Sequence, residues 1–149
     1  MLQGKSVYII EDNPTNLAII SSILRRHNAN IRYDRWGVDT IARLKHYGIV
    51  DLIILDLMFP YGISGYDVFD QVKRIPRFAS IPVVAVSAAD PQVEMPKARD
   101  KGFVGFISKP INHKLFPLQI ASIIEGQQVW ADDDLASYDL IEQSAQEGE

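Results

Sequence analysis

The sequence predicts an α/β domain with five parallel strands in the order 2-1-3-4-5 and helices on both faces of the sheet. Two observations carry this. Four apolar runs of strand character each stop at a residue able to handle phosphate or a metal ion: residues 7–10 before Glu11 and Asp12, 52–55 before Asp56, 83–86 before Ser87, and 104–108 before Lys109. Segments of helical periodicity lie between them, so strand and helix alternate through residue 125. Buried parallel strands read as continuous Val/Ile/Leu runs, and an open α/β sheet places its ligand site beyond their carboxyl ends. Four chemically complementary ends point to one site.

The elements follow in order. Asn13 and Pro14 supply a cap and a first-turn proline, and Leu17, Ile20, Ile23 and Leu24 recur at helical spacing, which predicts a helix over 14–27. A short strand is expected near 31–33, then a helix over 37–47 with Val38, Ile41, Ala42 and Leu44 inward. The third strand covers 52–56, and a loop containing Pro60, Gly62 and Gly65 leads to a helix over 66–75 through Val68, Phe69 and Val72. Pro82 opens the fourth strand. Pro91 suits a helix start but Pro96 removes a hydrogen bond from a helix already under way, so the fourth helix, between Asp90 and Lys101, is expected to be short or to start late. Pro117 delays the last helix to about Phe116, whence it runs through Leu118, Ile120, Ile123 and Ile124.

Bulk properties agree with one domain. The chain has 149 residues, 47% of them hydrophobic, and no cysteine, which excludes disulfides and thiolate metal sites. Without a run near ~20 apolar residues or a signal-peptide pattern, a cytoplasmic protein with no membrane contact is expected. Residues 126–149 hold seven acids and no Lys or Arg; residues 1–125 hold all 15 basic residues against 12 acids, a net charge of +3. Neither part carries the basic stripe of a nucleic-acid binder.

The flavodoxin-like strand order assigns the chemistry. It sets Asp56 on the central strand, between Asp12 and Ser87 on neighbours ~4.8 Å away, with Lys109 ~10 Å off and long enough to reach the middle. Carboxylates gathered at Glu11, Asp12 and Asp56 repel one another, and an all-oxygen set favours a hard divalent ion, Mg²⁺ or Mn²⁺. Asp56 can then attack a phosphoryl group, with Lys109 neutralising charge and Ser87 donating a hydrogen bond to an oxygen.

These residues resemble the receiver domain of two-component response regulators over residues 4–125. The matching pieces are Ile9-Ile10-Glu11-Asp12-Asn13, Ile54-Leu55-Asp56-Leu57-Met58-Phe59-Pro60, Gly65, Val84-Ala85-Val86-Ser87-Ala88 and Phe106-Ile107-Ser108-Lys109-Pro110. The resemblance implies that Asp56 is the phosphoacceptor, and that Glu11, Asp12, Asp56 and the Met58 carbonyl contact the metal. It makes Ser87 and Phe106 switch residues: Ser87 moves toward the phosphoryl group and Phe106 turns inward, altering the surface of the fourth helix, fifth strand and fifth helix. The donor would be a sensor histidine kinase or histidine phosphotransfer protein, the target another protein, and the receiver itself a monomer or phosphorylation-dependent dimer and not a turnover enzyme. Residues 60–65 form a loop one residue longer than usual. Met58 and Ala89, which would flank the path of the hydrolytic water, cannot orient one, so a long-lived aspartyl phosphate is expected.

Two features complete the reading. The 24 residues after residue 125 are too few for a DNA-binding or catalytic domain, so a stand-alone receiver of cell-cycle, phosphorelay or hybrid-kinase type is expected, with an acidic tail that either forms a short helix capped by Asp134 or stays disordered. Trp36, Trp130, His27, His46 and His113 are assigned to packing or surface roles. A phosphohydrolase of the haloacid dehalogenase type would need a second Asp where Met58 stands; a phosphorylation-independent interaction module would have lost the acidic site.

Overall fold

The computed structural model describes residues 2–59 and 62–131. Five strands, β1 (Ser6–Ile10), β2 (Asn30–Asp34), β3 (Leu52–Leu55), β4 (Val83–Ser87) and β5 (Gly105–Ser108), alternate with α1 (Pro14–Arg26), α2 (Thr40–His46), α3 (Gly65–Lys73), α4 (Pro91–Lys101) and α5 (Phe116–Ile124). All pairings are parallel and the order is β2-β1-β3-β4-β5, as expected. Alternate strand residues feed two apolar layers. Ile9, Ile54, Val86 and Ile107 pack with α1 and α5 through Ile20, Leu24, Phe116 and Ile120. Tyr8, Ile53, Ala85 and Phe106 pack with the other three helices through Leu44, Val68, Phe69 and Ala98.

Most helix starts follow their caps. Asn13 accepts from the Thr15 and Asn16 amides at 2.9 and 3.0 Å, and Ser64 and Asp67 form a reciprocal capping box on α3. Asn112 accepts from the Lys114 and Leu115 amides and α5 begins at Phe116.

Two expectations are corrected. Helix α2 begins at Thr40 rather than residue 37, because the Asp34 carboxylate takes the Gly37 amide at 2.8 Å and Gly37 turns to φ +72. Val38 is therefore 65% exposed, not inward, and Ala42 also lies on the exposed face of α2. Helix α4 is neither short nor late: Asp90 caps Gln92, and the helix runs from Pro91 with Pro96 inside it. Pro96 lies on the exposed face, where water can satisfy the carbonyl it leaves without an amide.

Beyond α5 the chain returns to the sheet. Val129 bridges Gly105 in parallel, and Val129 and Trp130 are both buried, which makes Trp130 a packing residue. The Asp134-capped helix lies outside the described residues.

Candidate functional site

The strand ends converge as their order requires. Asp56 leaves β3 with its amide bonded to the Ile10 carbonyl at 3.1 Å, and Lys109 leaves β5 with its amide on the Ser87 carbonyl at 3.0 Å. Lys109 Nζ spans the distance between strands: it donates to Glu11 Oε2 at 2.6 Å and to Asp56 Oδ2 at 3.1 Å. Glu11 is 1% and Asp56 6% exposed, so these ion pairs are shielded from water. Asp12 is half-buried.

Backbone amides hold the other carboxylate oxygens. Asn13 N–H donates to Glu11 Oε1 at 3.2 Å and Met58 N–H to Asp56 Oδ1 at 3.3 Å. Ser87 is fully buried, and its hydroxyl accepts from the Ala89 amide at 3.2 Å. After Asp56 the backbone doubles back, with Met58 bridging Ser64 and the Gly65 amide on the Leu57 carbonyl at 2.9 Å. A Cβ on Gly65 would lie 2.2 Å from the Asp56 carbonyl oxygen and 2.7 Å from Leu57 Cα, so only glycine fits there.

The site is over-supplied with negative charge. Burial pushes the Glu11 carboxyl up to about 7, against the lowering effect of its Lys109 bond and with the help of Asp56. Burial alone would lower the Lys109 pKa, but the bond to Glu11 and the charge on Asp56 together hold it above its usual value. One ammonium cannot balance three carboxylates. Carboxylate oxygens of Glu11, Asp12 and Asp56 lie within 4.8 Å of one another, and the Asp12 carboxylate has no hydrogen-bond or ion-pair partner among the described residues. An all-oxygen group of this charge fits a hard divalent cation.

Phe106, expected to turn inward on activation, is already enclosed: it is fully buried in the layer containing Met95, Ala98, Phe103 and Trp130. Two supporting residues escaped the sequence reading. Arg35 donates from Nη2 and Nε to the Asp12 carbonyl at 3.1 and 3.4 Å, fixing the loop that carries the acidic pair. Asp34, at the carboxyl end of β2, accepts from Tyr8 Oη at 2.8 Å and Thr40 Oγ1 at 2.7 Å and so anchors α2. Its place at a strand end was the available signal; nothing local marks Arg35.

Comparisons with known proteins point to one family. Residues 7–121 match the family model described as the response regulator receiver domain. The polar-differentiation response regulator DivK of Brucella ovis is 31% identical over 122 residues, covering 80% of this chain and 96% of DivK. A probable cyclic di-GMP phosphodiesterase of Vibrio cholerae is 27% identical over 123 residues; the match covers 83% of this chain and 27% of that longer protein. Among solved structures, the Mn²⁺-bound response regulator Rcp1 superposes with a TM-score of 0.69 at 20% identity, over 82% of this chain and 96% of Rcp1.

Proposed function

Since the chain belongs to the response regulator receiver domain family, we propose that it accepts a phosphoryl group on Asp56 from a histidine kinase or histidine phosphotransfer protein and signals through the surface of α4, β5 and α5. The observation that carries this reading is Lys109 Nζ, 3.1 Å from Asp56 Oδ2 on one side and 2.6 Å from Glu11 Oε2 on the other. It holds a buried carboxylate at the mouth of the sheet beside a fixed positive charge.

The step is an in-line transfer. An Asp56 carboxylate oxygen attacks phosphorus, the bond from phosphorus to the donor's imidazole nitrogen breaks, and the imidazole departs with its electron pair. Lys109 turns from Asp56 toward the phosphoryl oxygens, and the Ser87 hydroxyl donates to one of them. A divalent cation held by Glu11, Asp12, Asp56 and the Met58 carbonyl would neutralise charge on the transferring group. No helix among the described residues is long and apolar enough to cross a membrane.

The test is incubation with a small phosphodonor and Mg²⁺ or Mn²⁺, followed by intact mass. One phosphoryl group is expected on the native chain and none on Asp56→Asn. Equal gain by both, or by neither, defeats the proposal.

A further inference from the structure

The segment 127–130 adds to the edge of the sheet through one residue, Val129. The Val129 amide donates to the Val104 carbonyl at 3.1 Å, and the Phe106 amide donates to the Val129 carbonyl at 2.9 Å, which is one parallel bridge on the free edge of β5. The side chains alternate as strand residues do. Val129, 1% exposed, enters the layer of α1 and α5, whereas Trp130, 6% exposed, enters the layer of Phe106, Ala98 and Met95 on the other face. The indole N–H donates to Gln128 Oε1 at 3.1 Å, and the Arg99 guanidinium of α4 lies 4.5 Å over the ring. Gly105 makes the approach possible, since a Cβ there would sit 2.3 Å from the Val129 carbonyl oxygen.

We propose that the edge of β5, with the two apolar recesses flanking it, is a strand-docking surface whose resident occupant is the chain's own segment 127–130. Backbone bonds supply register-independent attraction, and the Val129 and Trp130 recesses supply specificity, the usual division of labour when an extended peptide adds to a sheet. The ligand class is an extended segment with a β-branched residue followed by tryptophan, running parallel to β5. A strand-like partner that reads β5 must displace this strap; only this consequence rests on the output surface proposed above.

A labelled peptide of residues 125–131, Glu-Gly-Gln-Gln-Val-Trp-Ala, tests it on the full chain. In the Val129→Ala/Trp130→Ala variant both recesses are empty and the peptide binds, saturably, and the same peptide with tryptophan replaced by alanine does not. For the native chain the docked strap lowers the competent fraction, so binding is weaker by roughly 10- to 100-fold. Equal affinity for native and variant chains, or no binding to a variant whose β1, β3 and β4 amides remain protected from hydrogen exchange, overturns the proposal. Exchange in the native chain gives a second readout that needs no variant: Val129 and Phe106 amides are protected if the strap docks, and loop-like rates there refute it. Neither experiment uses phosphorylation, so its outcome is independent of the Asp56 test.

Discussion

Glu11→Gln tests the charge imbalance at the site most directly. The side chain is 1% exposed and burial lifts its carboxyl from 4.5 to about 7, so keeping it ionised costs the folded protein on the order of 3 kcal/mol. The amide is nearly isosteric and its oxygen still accepts from Lys109, although its NH2 then faces the Asn13 amide and forfeits that bond, which offsets part of the gain. The variant is therefore expected to be more stable than the native chain at pH 8 in EDTA, by about 1–3 kcal/mol, or several degrees in Tm.

The sign with pH follows from the direction of the shift. A carboxyl whose pKa is raised on folding contributes stability that is present below pH 4.5 and is lost as pH rises through about 7. The native chain should lose stability relative to Glu11→Gln across that window, and the curves should converge in acid. Saturating Mg²⁺ should narrow or reverse the gap, because a ligand that binds only the folded state stabilises it, and the variant has lost one carboxylate donor. Urea denaturation followed by circular dichroism from about pH 4 to 8, with EDTA or Mg²⁺, reads each term. A variant less stable than the native chain at pH 8 in EDTA, or parallel pH curves, would refute the reasoning.

Three further outcomes are expected. Gly65→Ala drives a methyl into the Asp56 carbonyl and Leu57 Cα, so it should cost about 2–3 kcal/mol and slow phosphoryl transfer, whereas Gly62→Ala, with nothing within 4 Å of its Cβ but a φ of +77, should cost about 1–2 kcal/mol in backbone strain and leave transfer rates unchanged; intact mass separates the two. Tyr8→Phe leaves Asp34 without one of its donors and should cost about 1–2 kcal/mol by urea denaturation, while transfer to Asp56 proceeds. The aspartyl phosphate should survive for minutes or longer with Mg²⁺ present, because Met58 is 63% exposed with no group to orient water and Ala89 offers only a methyl; loss within seconds contradicts this.

Legibility tracked the range over which each feature is determined. Strands β1, β3, β4 and β5 are buried on both faces, so their apolar runs announced them. Strand β2 is an edge with only Ile31 and Asp34 buried, and its carboxyl end was passed over although Asp34 holds α2 in place. The start of α2 misled for the same reason, since the Asp34 to Gly37 bond overrides the helical spacing of Val38. Pro96 misled because its cost depends on which face it occupies. At the site, Asp56 and Lys109 were legible from strand-end position, but the bond from Arg35 to a backbone carbonyl has no local signature. Val129 and Trp130, an apolar pair in a polar stretch, carry no periodicity, so their strap was illegible until the edge they cover was in place.

The strap would change what kind of reader the proposed output surface admits. With residues 127–130 docked, the first half of β5 is bonded to β4 on one side and to Val129 on the other. An exposed strand edge is a template for association, and this one is covered at its Gly105 and Phe106 end. A partner that reads side chains of α4 and α5 leaves the strap in place, but any shift of α4 disturbs it through Arg99 and Trp130. A partner that pairs with β5 replaces it altogether. The link from Asp56 to either reader is short: Lys109 contacts the site at the end of β5, and three residues earlier the Phe106 amide holds the strap. A displacement of β5 therefore reaches Val129 through one hydrogen bond, and by reciprocity an occupant of the edge must bias Asp56 by the same free energy with which phosphorylation biases the occupant.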